Sequence, residues 1–371
     1  MKLETDQLNF NAITYSSNDK PMAISKQSIS LAKQADGSYN VPPNKILVKV
    51  HAAALNPIDL VLYNSAFKVL SYYNSQQGIG RDYSGTIVAI GEVAAKKTDF
   101  SIGDKVCGMY THILGKGTVS EYILLDWTSD LSVVPVPKNL SMNEAAAWPL
   151  VLGTALTMTQ GRIEVGSNAR VLVLGGSTAV GRFCIQLCRN HFKASEIIAT
   201  CSSSSAPIVR GFGADDTIDY TRYRSLDGPV IQAAGSGKFD LILDCCGNSD
   251  LLSSMSKILK PKFEGSHYVT IAGDNKYRYS DVSLFSILIP TLFAIFRMFL
   301  SMLGLNSYNF SFVAVKPEKQ WAETGKQLIE EEKVQVSVDS VHPVENFYDA
   351  IKKLQSQRAN GKVVIQIDSS N

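Results

Sequence analysis

The sequence is poor in the residues that build disulfide frameworks and metal centres. Its 371 residues include six cysteines, none in a Cys-x-x-Cys pair, and five scattered histidines. Four of the cysteines lie in strongly apolar stretches, which indicates reduced, packed thiols in an intracellular compartment. No group of cysteines and histidines has the spacing of a zinc site. The sequence therefore predicts neither disulfide bonds nor a bound metal.

The sequence also shows no excess of charge, and its first residues predict no targeting segment. Its 36 basic and 34 acidic residues give a net charge of +2, which is not typical of a protein that binds nucleic acid. The first ten residues, "MKLETDQLNF", contain neither a signal-peptide apolar region nor an Arg-rich presequence. These features predict a cytoplasmic globular protein without a nucleic-acid partner, and the length predicts two domains.

Two strand patterns follow each other along the chain. Up to about residue 150, short strands such as "SGTIVAIGEV" and "GDKVCGMY" are separated by glycine turns. Further on, the apolar strands "ARVLVLGG", "SEIIATCS", "KFDLILDCCG" and "SHYVTIAG" alternate with segments of helical periodicity. Strands that alternate with helices predict a parallel, doubly wound sheet.

The stretch "VLVLGGSTAVGRF" has the strand, turn and helix order of a dinucleotide-binding turn. Gly175 and Gly176 allow a tight turn and Gly181 lets the helix pack on the strand, but Thr178 replaces the middle glycine of the fingerprint. We expect the helix N-terminus and the hydroxyls of Ser177 and Thr178 to receive the pyrophosphate. The alternative is a glycine turn without a ligand. The predicted cofactor turn consists of Gly175, Gly176, Ser177, Thr178, Ala179, Val180 and Gly181.

The loop after the second strand of this sheet determines which nicotinamide cofactor is expected. An NAD site usually places an acid there for the ribose 2′-hydroxyl, and the stretch "ATCSSSSAP" contains none. Ser202, Ser203 and Ser205 offer hydroxyls instead, and Tyr220 and Arg222 follow the third strand. This pattern predicts a 2′-phosphate pocket and NADPH. The alternative is a solvated serine-rich loop.

A hydrolase is the alternative function at the same turn. The residues Gly175-x-Ser177-x-Ala179 approximate a nucleophile elbow, and Asp244 and His267 follow in acid-then-histidine order. However, the strands before the turn have no place in the simplest hydrolase layout, and the sequence contains no HGGG-type oxyanion motif. A dinucleotide site is therefore favoured.

Several motifs occur together in one order from about Lys45 to Ile367: "VHAAALNPIDL", "GIGRDYSGTIVAIG", "FSIGDKVCG", "GTVSEYILL", "AAAWPLVLGTAL", "GADDTIDY", "DCCG" and "NGKVVIQI". With these motifs the chain resembles the zinc-independent, quinone-oxidoreductase-like branch of the medium-chain dehydrogenase/reductase family. The chain is also similar to fungal members of this family that are found on membranes and lipid droplets.

The resemblance implies an α/β fold with two domains. A partly opened β-barrel (GroES-like) substrate domain would span residues 1–150 and be completed by 311–371. A Rossmann domain with a doubly wound parallel sheet would span 151–310. The resemblance also implies NADPH in a two-domain cleft and reduction of a quinone or an α,β-unsaturated carbonyl by hydride transfer.

The resemblance assigns roles to individual residues. Asn56 and Asp59 would line the substrate side, where the Asn56 amide would donate to the acceptor oxygen, and either Tyr63 or water would supply a proton. The residues expected on the cofactor side, besides the predicted cofactor turn and the serine loop (residues 202–205), are Thr154, Cys246, Gly247 and Lys362.

Three residues depart from the family pattern: Thr178 in the turn, Ser205 in place of a basic residue near the 2′-phosphate, and Val61 in place of a tyrosine. The zinc ligands of the metal-dependent relatives are also absent around Asn56 and at Gly80-Arg81-Asp82. These departures leave an alternative open, in which a non-catalytic reductase fold serves as a membrane- or lipid-droplet-associated scaffold or regulator.

An apolar insertion at about 282–305 has no counterpart in the family pattern. Its first 15 residues carry no charge, but Pro290 and Arg297 interrupt the run, whereas a membrane-spanning helix needs about 20 apolar residues. Three interpretations stay open: a buried helix pair or homodimer interface, a lid over a lipophilic acceptor, or peripheral contact with a membrane or lipid-droplet surface.

Overall fold

A computed structural model of the chain describes residues 5–16, 20–33, 39–65, 76–110, 115–274 and 284–368. The chain divides into two compact units. We call Met1–Leu150, Lys316–Glu330 and Val336–Asn371 the N-terminal unit, and Val151–Val315 with Glu331–Gln335 the central unit. The boundary that the sequence predicts near residue 310 falls inside a strand of the central unit.

The elements are numbered in chain order. The described strands are β1 (Thr5–Tyr15), β2 (Ala23–Lys33), β3 (Tyr39–Asn40), β4 (Lys45–Leu55), β5 (Gln77–Gly78), β6 (Asp82–Ile90), β7 (Lys105–Met109), β8 (Tyr122–Asp126), β9 (Val134–Pro135), β10 (Arg170–Leu174), β11 (Glu196–Cys201), β12 (Asp216–Asp219), β13 (Leu241–Asp244), β14 (His267–Thr270), β15 (Asn309–Phe312), β16 (Val338–Pro343) and β17 (Lys362–Gln366). The described α-helices are α1 (Pro57–Ser65), α2 (Glu92–Lys97), α3 (Met142–Ala145), α4 (Pro149–Thr159), α5 (Ala179–Gln186), α6 (Ala206–Gly211), α7 (Asp227–Ala234), α8 (Met255–Ile258), α9 (Leu284–Met302), α10 (Lys319–Glu330) and α11 (Phe347–Gln355).

The central unit contains a six-stranded sheet in the order β12-β11-β10-β13-β14-β15, with every pairing parallel. This is the strand order of a Rossmann fold, in which the direction of winding reverses between β10 and β13. Helices cover a parallel sheet on both faces, so its strands must be apolar throughout, and β10 and β13 are almost completely buried. The predicted doubly wound sheet is confirmed.

The N-terminal unit contains two sheets. One has the order β3-β2-β1-β5, and the other has the order β16-β17-β4-β6-β7-β9, with β8 also paired to β4. β4 is the centre of the larger sheet because it pairs with β6, β8 and β17, and most of its residues are buried. The predicted GroES-like domain is confirmed, and β16 and β17 are the strands that the C-terminal segment adds to it.

The apolar insertion forms a single helix, α9, which continues through Pro290. Residues 282 and 283 of the predicted insertion lie outside the described residues. Leu292, Phe293, Phe296 and Phe299 are each more than half exposed, so the expectation of a buried helix pair is wrong. Within the described residues, no helix has both the length and the apolarity to span a membrane.

Candidate functional site

The predicted cofactor turn lies in the central unit, where β10 ends. Gly175 has a φ of +78°, a conformation that favours glycine, and a Cβ added to it would lie 2.9 Å from the Cβ of Cys246. A Cβ on Gly176 would lie 2.8 Å from the Cβ of Ala199, and one on Gly181 would overlap the carbonyl oxygen of Gly175. The three glycines therefore let α5 begin directly against the end of the strand.

Thr178, the departure from the glycine fingerprint, is the N-cap of α5. Its hydroxyl accepts a hydrogen bond from the N–H of Gly181 at 3.0 Å and donates one to the carbonyl oxygen of Gly175 at 2.8 Å. Its hydrogen is used within the turn, and a contact between the Thr178 hydroxyl and a phosphate stays a prediction. The residue stabilises the turn by capping the helix. Ala179 and Val180 form the first turn of that helix.

A positively charged residue that the sequence analysis missed, Arg182, lies beside the turn. Arg182 is buried on α5, its Nε donates to the carbonyl oxygen of Ser177 at 3.0 Å, and its guanidinium lies over the ring of Phe212. The periodicity of α5 predicts only its buried apolar face, although the sequence contains an arginine directly after Gly181. Arg182 places a positive charge beside the turn.

A buried carboxylate shapes the loop after β13. Burial raises the pKa of Asp244, while the hydrogen bonds it accepts favour its ionised form. This carboxylate holds the loop that contains Cys246 and Gly247, two predicted cofactor residues. Cys246 lies against Gly175 of the turn. Asp244 accepts hydrogen bonds from the N–H groups of Cys246, Gly247 and Asn248 and from the hydroxyls of Tyr268 and Thr270.

The hydrolase alternative does not fit this geometry. His267 begins β14 and lies beside Leu241, whereas Asp244 lies beside Thr270, three residues further along the parallel pair. Three residues of strand correspond to about 10 Å. The His267 ring contacts the carbonyl oxygen of Gly265 through Nδ1 at 3.0 Å. Asp244 and His267 therefore do not form the acid and base of a triad.

The serine loop and the end of β12 lie at the same edge of the sheet, because β11 and β12 are parallel with Cys201 beside Asp219. The Ser202 hydroxyl is within 3.1 Å of that of Ser205. Ser203 donates a hydrogen bond to Asp219, and the Nε of Arg222 lies 3.2 Å from the same carboxylate. Tyr220 follows Asp219 and is exposed. Two of the predicted residues, Ser203 and Arg222, thus meet at Asp219, an acid that the sequence analysis missed.

A second polar cluster is buried in the N-terminal unit. Since β4 lies between β6 and β17, with Asp82 beside Ala54 and Val363 beside Leu55, the residues at these strand ends converge. The Nζ of Lys362 lies 2.5 Å from Oδ1 of Asn56 and 3.0 Å from Oδ2 of Asp82. The side-chain amide of Asn56 donates to the same Asp82 oxygen at 2.9 Å. These three residues form one hydrogen-bonded group.

This cluster changes the expectations for Asn56 and Lys362. Asn56 is buried, its amide nitrogen donates to Asp82 and to the carbonyl oxygen of Ala54, and its amide oxygen accepts from Lys362. Its amide is therefore arranged to position other groups rather than to donate to an acceptor. Lys362, predicted on the cofactor side, belongs to the same group as Asn56. Thr154 is buried on α4 in the central unit.

Asp59 has a structural position beside this cluster. Its carboxylate accepts hydrogen bonds from the N–H of Asn56 at 2.8 Å and of Gly80 at 3.0 Å, and Arg81 lies 3.9 Å away. Burial raises the pKa of Asp59, and the charge of Arg81 opposes that increase. Tyr63 is turned to other partners, because its hydroxyl donates to the carbonyl oxygen of Lys20 at 3.0 Å. Asp59 therefore anchors the start of α1.

The residues of this cluster do not fit a zinc ion. The oxygens of Asp59 and Asp82 already accept hydrogen bonds from Asn56, Gly80, Lys362 and the N–H of Leu150. The basic side chains of Lys362 and Arg81, which lie beside these carboxylates, would repel a cation. In the part of the chain that the structure describes, no three His, Cys, Asp or Glu side chains are grouped as metal ligands.

Comparisons with known proteins agree with a GroES-like domain and a Rossmann domain in this chain. Residues 42–138 match the alcohol dehydrogenase GroES-like domain, and residues 212–365 match the family described as zinc-binding dehydrogenase. Protein YIM1 of Vanderwaltozyma polyspora is 34% identical over an alignment of 373 positions, which covers 96% of this chain and 99% of that protein. The chain belongs to the medium-chain dehydrogenase/reductase family.

Solved structures of this fold cover nearly all of the chain. The quinone oxidoreductase from Coxiella burnetii superposes with a TM-score of 0.74 at 21% identity, covering 97% of this chain and 100% of its own. A mycobacterial protein complexed with NADPH gives a TM-score of 0.69 at 18% identity and covers 96% and 100%. Identities of this size establish the fold of the chain and not its reaction.

Proposed function

We propose that this protein is a zinc-independent reductase that uses NADPH to reduce a quinone or an α,β-unsaturated carbonyl compound. The observation that carries the proposal is the turn between β10 and α5. It lies beside the Cys246–Gly247 loop at the point where the sheet reverses its winding, and such switch points are where Rossmann sheets bind ligands. The reductase-type relatives of the fold support the same class of reaction.

We assign the cofactor contacts to the central unit. The N-terminus of α5, with Ser177 and the positive charge of Arg182 nearby, suits a pyrophosphate. The exposed guanidinium of Arg222 suits a 2′-phosphate. The remaining proposed contacts are Gly175, Gly176, Thr154, Ser202, Ser203, Ser205, Tyr220, Cys246 and Gly247.

The N-terminal unit contributes fixed polar groups to the proposed reaction. When bound, the nicotinamide supplies a hydride, which with one proton reduces the acceptor by two electrons. We assign the proton to water, because the hydroxyl hydrogen of Tyr63 is directed at Lys20. Asn56 and Asp59 act as positioning residues, since Asn56 holds Lys362 and Asp82 in place and Asp59 anchors α1.

A deuterium-transfer assay tests the reaction. We expect the purified protein to oxidise NADPH when a quinone or an enone is added, and to transfer deuterium from C4-deuterated NADPH to a carbon of the enone product. An enone is the better probe because deuterium bound to a quinol oxygen exchanges with water. Binding of NADPH with no oxidation across a panel of quinones and enones would contradict the catalytic proposal and support the non-catalytic alternative.

We further propose that the apolar face of α9 contacts a lipid surface. Every exposed residue from Leu288 to Leu305 is apolar. The one charged residue of this segment, Arg297, is turned to Asp274, with which it forms a two-nitrogen ion pair. A protein partner usually meets about one hydrogen-bonding group per 100–200 Å² of interface, so a face of this composition suits hydrocarbon better.

Vesicle flotation tests the lipid contact. The double change Phe293→Ser and Phe296→Ser removes two exposed phenyl groups, and we expect it to reduce the vesicle-bound fraction by about tenfold or more. Phe263→Ser is the matched control, because this phenylalanine is 87% exposed but lies outside α9. A second copy of the chain would be shown to cover this face by two results together. The unaltered protein would fail to bind vesicles, and it would form a dimer that the double change dissociates.

A further inference from the structure

Asp219, the last residue of β12, contacts the serine loop. Ser203 and Asp219 leave neighbouring parallel strands at the same edge of the sheet, and the Ser203 hydroxyl donates its hydrogen to Oδ2 of Asp219. The Nε of Arg222 approaches the same oxygen at 3.2 Å. Asp219 therefore engages two of the groups that the proposed function assigns to the 2′-phosphate.

Asp219 also has a local structural role, which any test must preserve. Its other oxygen accepts hydrogen bonds from the N–H of Thr221 at 3.0 Å and from the Thr221 hydroxyl at 2.7 Å, so it caps the short helical turn Tyr220–Arg222. The hydrogen bonds from Ser203 and Thr221 hold the pKa of Asp219 at about 2. The carboxylate is consequently ionised at neutral pH.

We propose that Asp219 is the residue that sets the discrimination between NADPH and NADH, and that it weakens the preference for NADPH. This inference rests on the proposed function. A phosphate is an acceptor of hydrogen bonds, and the Ser203 hydrogen it would need is directed at Asp219. A ribose 2′-hydroxyl can donate to a carboxylate, as it does to the acid that follows the second strand in NAD sites. Asp219 ends the neighbouring strand β12 and contacts the loop that follows the second strand.

Two physical effects act in the same direction here. The charge of Asp219 repels the 2′-phosphate of NADPH. The Ser203 hydroxyl must also leave Asp219 before it can donate a hydrogen bond to that phosphate. Arg222 partly compensates, because its side chain is 72% exposed and its outer nitrogens extend beyond the contact with Asp219. The subsite is thus able to accept both cofactors, and the carboxylate reduces the advantage of the phosphorylated one.

The substitution Asp219→Asn isolates the charge. Asparagine retains an oxygen that caps Thr221, and it is as good an N-cap as aspartate. We expect the dissociation constant of NADPH to fall by about tenfold or more, while that of NADH stays the same or rises. Calorimetric titrations with NADPH and NADH measure both constants. The gain should shrink at high ionic strength, a dependence that a purely structural effect would not produce.

Asp216→Asn is the matched control, because Asp216 begins the same strand, is exposed, and pairs with Arg210 instead of the serine loop. We expect this control to leave the ratio of the two dissociation constants unchanged. An unaltered ratio in Asp219→Asn, or an equal change in Asp216→Asn, would overturn the inference while leaving the proposed function intact. Failure of the unaltered protein to bind either dinucleotide would overturn the proposed function and the inference together.

Discussion

Replacing Gly181 with alanine is expected to raise the dissociation constant of NADPH by about a hundredfold. The new methyl group would overlap the carbonyl oxygen of Gly175 and lie 3.0 Å from the Cα of Gly176. Both are backbone atoms of the turn itself, so no side-chain rotation relieves the overlap. Helix α5 must then move away from β10, and the Thr178 cap, which depends on the N–H of residue 181, is disturbed.

Gly211→Ala provides the control for this prediction. Gly211 ends α6 in the same unit, and a Cβ there would meet no atom within 4 Å. We expect this change to leave NADPH binding unaltered, as measured by the same calorimetric titration. The account of the turn would be contradicted if Gly181→Ala folded normally and bound NADPH as tightly as the unaltered protein.

Replacing Lys362 with methionine is expected to lower the free energy of unfolding of the N-terminal unit by about 3–5 kcal/mol, the usual cost of breaking a buried ion pair. Asp82 is fully buried and Lys362 is only 4% exposed, so the substitution leaves a carboxylate in the core without its cation. It also removes the donor to the Asn56 amide oxygen. Methionine has a similar length, which keeps the loss of packing small.

Tryptophan fluorescence during denaturant unfolding reports on this unit selectively, because Trp127, Trp148 and Trp321 all belong to it. Lys352→Met is the matched control, since Lys352 forms an exposed pair with Asp349 and should contribute no more than about 0.5 kcal/mol. The buried-pair interpretation would be wrong if the two substitutions had equal effects on the unfolding midpoint.

The fold could be predicted because the sequence of each unit has its own pattern of apolar residues and glycines. The continuous apolar runs at β10 and β13 predict strands buried on both faces, and glycine turns separate the shorter strands of the N-terminal unit. The apolar insertion was harder to interpret. Its composition indicates that it must be covered by something apolar, but only the structure shows that other parts of the central unit leave one face of α9 exposed.

The candidate site could be predicted where one segment forms it and not where distant segments meet. The glycines of the turn lie within seven residues of one another, so their roles follow from spacing alone. Asp219 was missed because it reaches the serine loop through the register of β11 and β12, which the loop sequence does not contain. The hydrogen-bond partners of Asn56 were missed for the same reason, since Asp82 and Lys362 come from two other strands.

A calorimetric titration of the unaltered protein with NADPH, and then with NADH, tests the central claim most directly. We expect NADPH to bind at one site per chain, Gly181→Ala to weaken this binding by about a hundredfold, and Gly211→Ala to retain it. Binding of neither dinucleotide to the folded protein would contradict the account, because the turn between β10 and α5 would then be a structural feature of the sheet without a ligand.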